Sequence, residues 1–289
     1  MEEKDIAEKG RSNSSEIWRR LKKNKIAFSC IFVLLAVFLI AIFAPLIAPH
    51  PYEKTNPARA LEGPSRDFLL GTDRIGRCIL SRLLYGARQS LQMGIFATTG
   101  SSIIGTLIGA IAGYYGKKLD TLIMRFLDIF QGIPMFLLTV TLAAVMGPSL
   151  QNAIIAIGIS MIPHSARLMR ASILTVREME YVEAAKAIDA GDRRIILRHI
   201  IPNAIAPVLV GYTMAMGSAV LSGAALSFIG LGVQPPIPEW GAMISDGRNY
   251  MRANPELALY PGICVMITVL AFNMLGDGLR DALDPRLKS

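Results

Sequence analysis

Charged residues are scarce in this 289-residue chain, where Asp, Glu, Lys and Arg make up 18% against 52% hydrophobic residues. Soluble domains average about 25% charged and about 45–50% apolar. The shortage is also uneven. Ile26–Ala48, Ser90–Tyr115, Ile129–Ala166, Ile200–Pro238 and Leu257–Gly276 contain no Asp, Glu, Lys or Arg, over 23, 26, 38, 39 and 20 residues. A helix needs about 20 apolar residues to cross the hydrocarbon core of a bilayer, so each run is long enough to span. These gaps exclude a water-soluble enzyme and a disordered chain.

Other absences narrow the reading further. The three cysteines, Cys30, Cys78 and Cys264, have no close spacing, which excludes a disulfide framework or a metal cluster. No phosphate-binding loop, metal-ligand pair at helical spacing or nucleophile elbow is present. No catalytic residue, metal or cofactor is therefore expected, and energy for any active process must come from another chain. No cleavable leader is expected either: the first apolar run begins only at Ile26 and ends at Pro45 and Pro49 rather than at small residues. Ionisable groups inside a membrane usually mark ion paths, and here only Arg125, Asp128 and His164 lie near the spans. Arg125 and Asp128 are expected to pair at i, i+3 on one helix, and His164 to be a hydrogen-bonded packing residue. A proton-driven carrier would find no carboxylate near the middle of a span. Asn152, Asn273, Thr139 and Thr141 could line a pore or bond between helices.

The apolar runs resolve into six spans. Met146-Gly147-Pro148-Ser149 breaks the longest stretch into 122–145 and 150–168. The run from Ile200 holds one span, about 205–230, before a proline-rich loop. With the N-terminus inside, 21 of the 30 Lys and Arg fall on inner segments and nine on outer ones, so the positive-inside rule puts both termini in the cytoplasm. That placement also accounts for the net charge of +8 without nucleic acid. Seven of the outer cations crowd into 49–89, against the rule. The expected organisation is a basic N-terminal segment (1–25), a first span (26–48), an outer loop (49–89), a five-helix core (90–279) with an inner loop at 169–203 and an outer loop at 231–256, and a cytoplasmic tail (280–289). Ile17, Trp18 and Leu21 can lay a short helix on the anionic inner leaflet. Gly105, Gly109 and Gly113 form two consecutive small-xxx-small steps, which let a neighbouring helix approach closely.

The inner loop is not an idle linker. Glu178 to Ile188 reads as a short helix with Tyr181, Ala184, Ala185 and Ile188 along one face. Asp189 to Asp192 forms a turn, with Gly191 free to take positive φ and Asp192 placed to cap the next helix. Arg193 to Ile201 is that second helix, ended by Pro202. So small a unit cannot bury its own core, and its apolar face, with Ile195, Ile196 and Ile200, packs either on a partner or under its own bundle.

Here the residues carry a resemblance. Glu180-Tyr181-Val182-Glu183-Ala184-Ala185, followed by His199-Ile200-Ile201-Pro202-Asn203, resembles the "EAA" loop of ABC importer permeases. Leu70 to Arg77 (LGTDRIGR) with Ser81 to Arg88, Leu226 to Pro236 with Trp240-Gly241, and Asn273 to Asp281 with Leu283 to Arg286 resemble the dipeptide/oligopeptide/nickel branch, in its second or C-type permease. The resemblance implies an all-α type I importer permease with six transmembrane helices in a prokaryotic inner or plasma membrane. It would pair with a second homologous permease, two cytoplasmic ATP-binding subunits and an extracytoplasmic substrate-binding protein. It implies that Tyr181, Glu183, Ala184, Ala185, Asp189 and Gly191 couple to the ATPase, Glu183 by a charged contact and the alanines in its groove, while 50–89 and 231–256 meet the binding protein. The substrate implied is a dipeptide or oligopeptide, with nickel or another small solute as the alternative within the family and an ATPase-independent secondary carrier as the alternative outside it. Two departures stand out: Asp189 occupies the position where the family usually has Gly, and Cys78 the one where it commonly has Asp.

Overall fold

The computed structural model describes residues 13–283; the last residues of the Leu283–Arg286 motif lie outside that range. The described chain is almost entirely helical, with one isolated bridge between Thr72 and Cys78. A short helix α1 (Asn13–Lys23) precedes α2 (Lys25–Ile47). Then come α3 (Ile79–Tyr115), α4 (Lys117–Gln131), α5 (Met135–Met146), α6 (Leu150–Arg177) and α7 (Glu180–Ala187). The chain closes with α8 (Asp192–Phe228), α9 (Trp240–Gly247) and α10 (Glu256–Leu283).

Four helices, α2, α3, α8 and α10, are long and apolar enough to cross a membrane, and the bent pair α4–α5 makes a fifth candidate. The sixth expected span, α6, is long enough at 28 residues but less apolar. Its polar groups face other helices: Arg167 pairs with Asp128, and Arg170 with Asp120 at 2.5 Å. That corrects the local pairing of Arg125 with Asp128, because α6 brings a better-placed guanidinium to the carboxylate. His164 is exposed and has no hydrogen bond among the described residues, so it is not the bonded packing residue expected.

Three element boundaries differ from the sequence reading for identifiable reasons. The Gly147 break holds, with Ser149 accepting the Asn152 N–H at 3.1 Å. A second break, at Gly132-Ile133-Pro134, turns α5 by 80° from α4; proline lacks the N–H the helix needs there. Helix α3 begins at Ile79, earlier than the charge-free run, because Arg82 within its first turns is buried against Asp73 (3.6 Å). Pro202 does not end the inner-loop helix. Residues Ile195–Ile200 widen into a π-helical turn, with the Ile201 N–H reaching the Ile196 carbonyl. The wider turn gives the proline ring room where an α-turn would clash, so α8 runs unbroken into the membrane.

Glycine explains how the bundle is joined. A Cβ on Gly105, Gly109 or Gly113 would sit 2.5 Å from Ser165 Cβ, 2.2 Å from the Ala166 carbonyl oxygen and 2.8 Å from Ile173 Cβ. All three neighbours belong to α6, so the small-xxx-small stripe lets the α3 and α6 backbones nearly touch. Thr139 of α5 donates to Ser160 Oγ of α6 at 2.8 Å, a bond between helices, whereas Thr141 bonds within its own helix and Asn152 ties down the Gly147 turn.

Candidate functional site: the inner-loop handle and the outer cap

The loop between α6 and α8 is held from beneath and bare on top. Val182 and Ala185 of α7 are buried, together with Ile195 and Ile200, in a cluster with Ala110, Met169, Ile173, Val176 and Val208 from α3, α6 and α8. On the other side Tyr181 is 41% exposed and Ile188 80%, and Ala184 is exposed with Glu183 beside it. The inward stripe is therefore Val182–Ala185, shifted from the Tyr181–Ala184–Ala185–Ile188 face expected. Ala185 turns into the chain's own packing, and Ala184 is the alanine presented outward. Both arrangements weighed for the second helix meet here: Ile195, Ile196 and Ile200 pack under their own bundle, and the outer face of α7 is left without a partner.

The turn after α7 is equally specific. Asp189, not Gly191, takes the left-handed conformation, with φ 56°; Gly191 has φ −62°. The Ala190 N–H reaches back to the Ala185 carbonyl (3.1 Å), the bond that closes a helix around a left-handed residue. This accounts for the resemblance's preference for Gly at that position, and for why Asp, one of the few side chains tolerant of it, stands there. Asp192 does not cap α8. Its carboxylate instead accepts the Tyr114 hydroxyl at 2.7 Å, while Lys186 lies over the Tyr114 ring at 5.9 Å. Arg177 donates to the Gly113 carbonyl at 3.0 Å. The handle is thus fastened to the inner end of α3 as well as to α6 and α8.

The outer segments form a folded cap. Asp73 Oδ1 accepts the backbone N–H groups of Ile75 and Arg77, and its other oxygen accepts Arg77 Nε at 2.6 Å. Arg77 also reaches Asp246 of α9 at 3.5 Å, and Arg74 lies 3.7 Å from the same carboxylate. Arg59 bonds Glu62 and Asp67 at 2.5 and 2.9 Å, and its guanidinium holds the Glu62 carboxyl below the usual range. Gly76, with φ 78°, lies so close to Asn56 that a Cβ would fall 1.9 Å from its carbonyl oxygen. Four of the seven cations that crowd 49–89, Arg59, Arg74, Arg77 and Arg82, are thus engaged with carboxylates, which explains how an outer loop tolerates them. Sequence reasoning missed Glu239 altogether. It is fully buried, accepts the Ser90 hydroxyl at 2.7 Å and the Ala242 N–H at 3.0 Å, and burial pushes its carboxyl upward. Its neighbour Trp240 donates its indole N–H to the Leu83 carbonyl at 3.0 Å. The proline-rich PPIPEW stretch was the available signal; the carboxylate's burial depends on Ser90, 149 residues away. Cys78 is buried just before α3.

Comparison with known proteins places this architecture. Residues 105–289 match the model of the "Binding-protein-dependent transport system inner membrane component" family, and residues 12–64 match the "N-terminal TM domain of oligopeptide transport permease C". A dipeptide transport system permease protein of Alkalihalophilus pseudofirmus is 50% identical over 274 residues, covering 95% of this chain and 90% of that protein. A glutathione transport system permease protein of Pectobacterium atrosepticum is 42% identical over 95% of this chain and 91% of its own length. A di/tripeptide permease of Pseudomonas aeruginosa is 42% identical over 95% of this chain and 92% of its own length. A chain of the MetNI methionine ABC transporter, in an inward-facing conformation, shares the fold at TM-score 0.59 and 20% identity, over 70% of this chain and 97% of that one. A chain of an amino acid ABC transporter does so at 0.56 and 17%, over 71% and 95%. The all-helical bundle, its apolar spans and these matches together make the chain a member of the binding-protein-dependent transport system inner membrane component family, a multi-pass inner-membrane permease of the ABC importers.

Proposed function

We propose that this chain is the C-type permease subunit of an ATP-driven importer for dipeptides or oligopeptides, and that it takes its driving force through the outer face of α7. The family implies partnership with another permease, with ATPases and with a binding protein. In this reading the second permease is homologous and completes the pathway, and two ATP-binding subunits sit beneath. The binding protein meets the cap formed by 50–89 and 231–256. The substrate assignment rests on relatives whose names specify dipeptides, di/tripeptides and glutathione.

One observation carries the mechanism: α7 is packed on one side into α3, α6 and α8, and bare on the other. A segment built this way transmits force. An ATPase gripping Tyr181, Ala184 and Ile188, with Glu183 supplying a charged contact, would move Val182, Ala185, Ile195 and Ile200 with it. Because α6 enters the handle and α8 leaves it, the displacement passes into two spans at once. Asp189 sets the angle between α7 and α8, and Gly191 lies in the same turn. The chain supplies the pathway and the lever, and ATP hydrolysis is assigned to the partners.

Reversing the charge tests this. Glu183→Lys, reconstituted with its partners in vesicles, should keep membrane insertion and basal ATP hydrolysis but lose most peptide uptake. Uptake at the unmodified rate would contradict the coupling role.

A further inference from the structure

A cavity of about 450 Å³ opens in the half of the bundle nearest the handle, between α6, α8 and α10. Pockets that take small organic ligands run from about 300 to 1,000 Å³ and combine apolar walls with a few polar groups. Here Leu168, Pro207, Val210 and Met214 make the walls, and His164 and Arg280 are the groups able to carry charge. No lining residue is acidic. Neither Arg280 nor His164 has a hydrogen-bond or ion-pair partner among the described residues. A guanidinium left free beside apolar walls is complementary to a carboxylate carried on an apolar body. The location adds a second argument. Two of the three helices that line the cavity, α6 and α8, flank the handle, and Pro207, lacking a backbone N–H, is a point where α8 bends easily. Moving the handle therefore alters the cavity.

From this placement, which rests on the peptide-importer reading above, we propose that the cavity is a holding site on the cytoplasmic side of the pathway. It takes the C-terminal carboxylate of the transported peptide at Arg280, with the adjacent side chain against Leu168, Val210 and Met214. Selection here is for a free C-terminus and an apolar residue beside it.

The complete importer in vesicles, loaded inside with a dipeptide bearing a benzophenone side chain and a free C-terminus, provides the test. Illumination should label 164–168, 206–214 or 280–283. Excess Ala-Phe should suppress that labelling, and Ala-Phe amide should not. Arg280→Gln should lower labelling about tenfold, the loss expected for one charge-assisted bond, and Arg280→Lys should recover most of it, with co-purification of the partner chains as the folding check. If Arg280→Gln does not assemble, the amide comparison on the unmodified importer decides. Labelling elsewhere, equal competition by the amide, or labelling that rises when phosphatidylglycerol is replaced by phosphatidylcholine would overturn the proposal, the last by showing a lipid in the cavity. ATP-dependent uptake of the same dipeptide, with the binding protein outside, reads the importer assignment separately. Uptake without cavity labelling removes only the holding site, and no uptake of any dipeptide removes the assignment beneath it.

Discussion

Two acidic residues show how much single side chains settle here. Asp189 is held at φ 56° by the bond that closes α7. Replacing it with Gly should preserve the turn and leave uptake intact. Replacing it with Val should cost about 1–2 kcal/mol, because a branched Cβ crowds the backbone in the left-handed region, and thermal unfolding of the assembled complex would read the loss. Glu239 behaves differently. Its folded-state carboxyl is raised from the ordinary value of 4.5 by burial, so its contribution to stability is fully present below that value and is lost as pH rises through the folded pKa. Glu239→Gln should flatten this part of the stability–pH curve, and melting temperatures measured from pH 4.5 upward would show it. Asp189 was legible as a departure from a pattern, though the turn's handedness had been assigned to Gly191. Glu239 was not legible as a buried group, because the proline-rich stretch that ends at Pro238 marks a structured loop but not the carboxylate's burial against Ser90.

At the level of elements, the close approach of α3 to α6 is easily disturbed. Gly109→Ala would place a Cβ 2.2 Å from the Ala166 carbonyl oxygen, forcing α3 and α6 apart. Overpacking of this kind costs about 1–3 kcal/mol. The expected result is a lower unfolding temperature of the purified complex, whereas the same change at Gly100, which has no neighbour within 4 Å of such a Cβ, should be nearly silent. Hydrophobic periodicity gave the helices their type and rough position, since spans must be apolar. It did not give α6 its weaker apolarity or α4–α5 their 80° bend. The bend comes from the Gly132-Ile133-Pro134 break inside a charge-free run, while the polar content of α6 is accommodated by Asp120 and Asp128 meeting Arg170 and Arg167 across helices, and pairing at such separation leaves no local signal. The π-turn at Ile195–Ile200 was hidden for the opposite reason: Pro202 reads as a helix end, and the backbone absorbs it by widening.

For the whole molecule, the cap and the handle stand at opposite ends of one continuous set of packed helices. The cap is locked by the Asp73–Arg77–Asp246 network and by Trp240 on Leu83, while the handle is locked only on its inner side. A chain organised this way exposes one segment for another protein to move. The family could be read from four short motifs; the division of α7 into a packed and a bare face could not, because Tyr181, Val182, Ala184 and Ala185 are all compatible with either side of a short helix. The most direct measurement is thiol crosslinking in the assembled importer from Ile188→Cys. The account predicts that a short bifunctional reagent captures an ATP-binding subunit from that position and captures nothing cytoplasmic from Arg66→Cys in the cap. Failure to capture the ATPase from Ile188→Cys, or capture of it from Arg66→Cys, would contradict the claim that the bare face of α7 is where the motor takes hold.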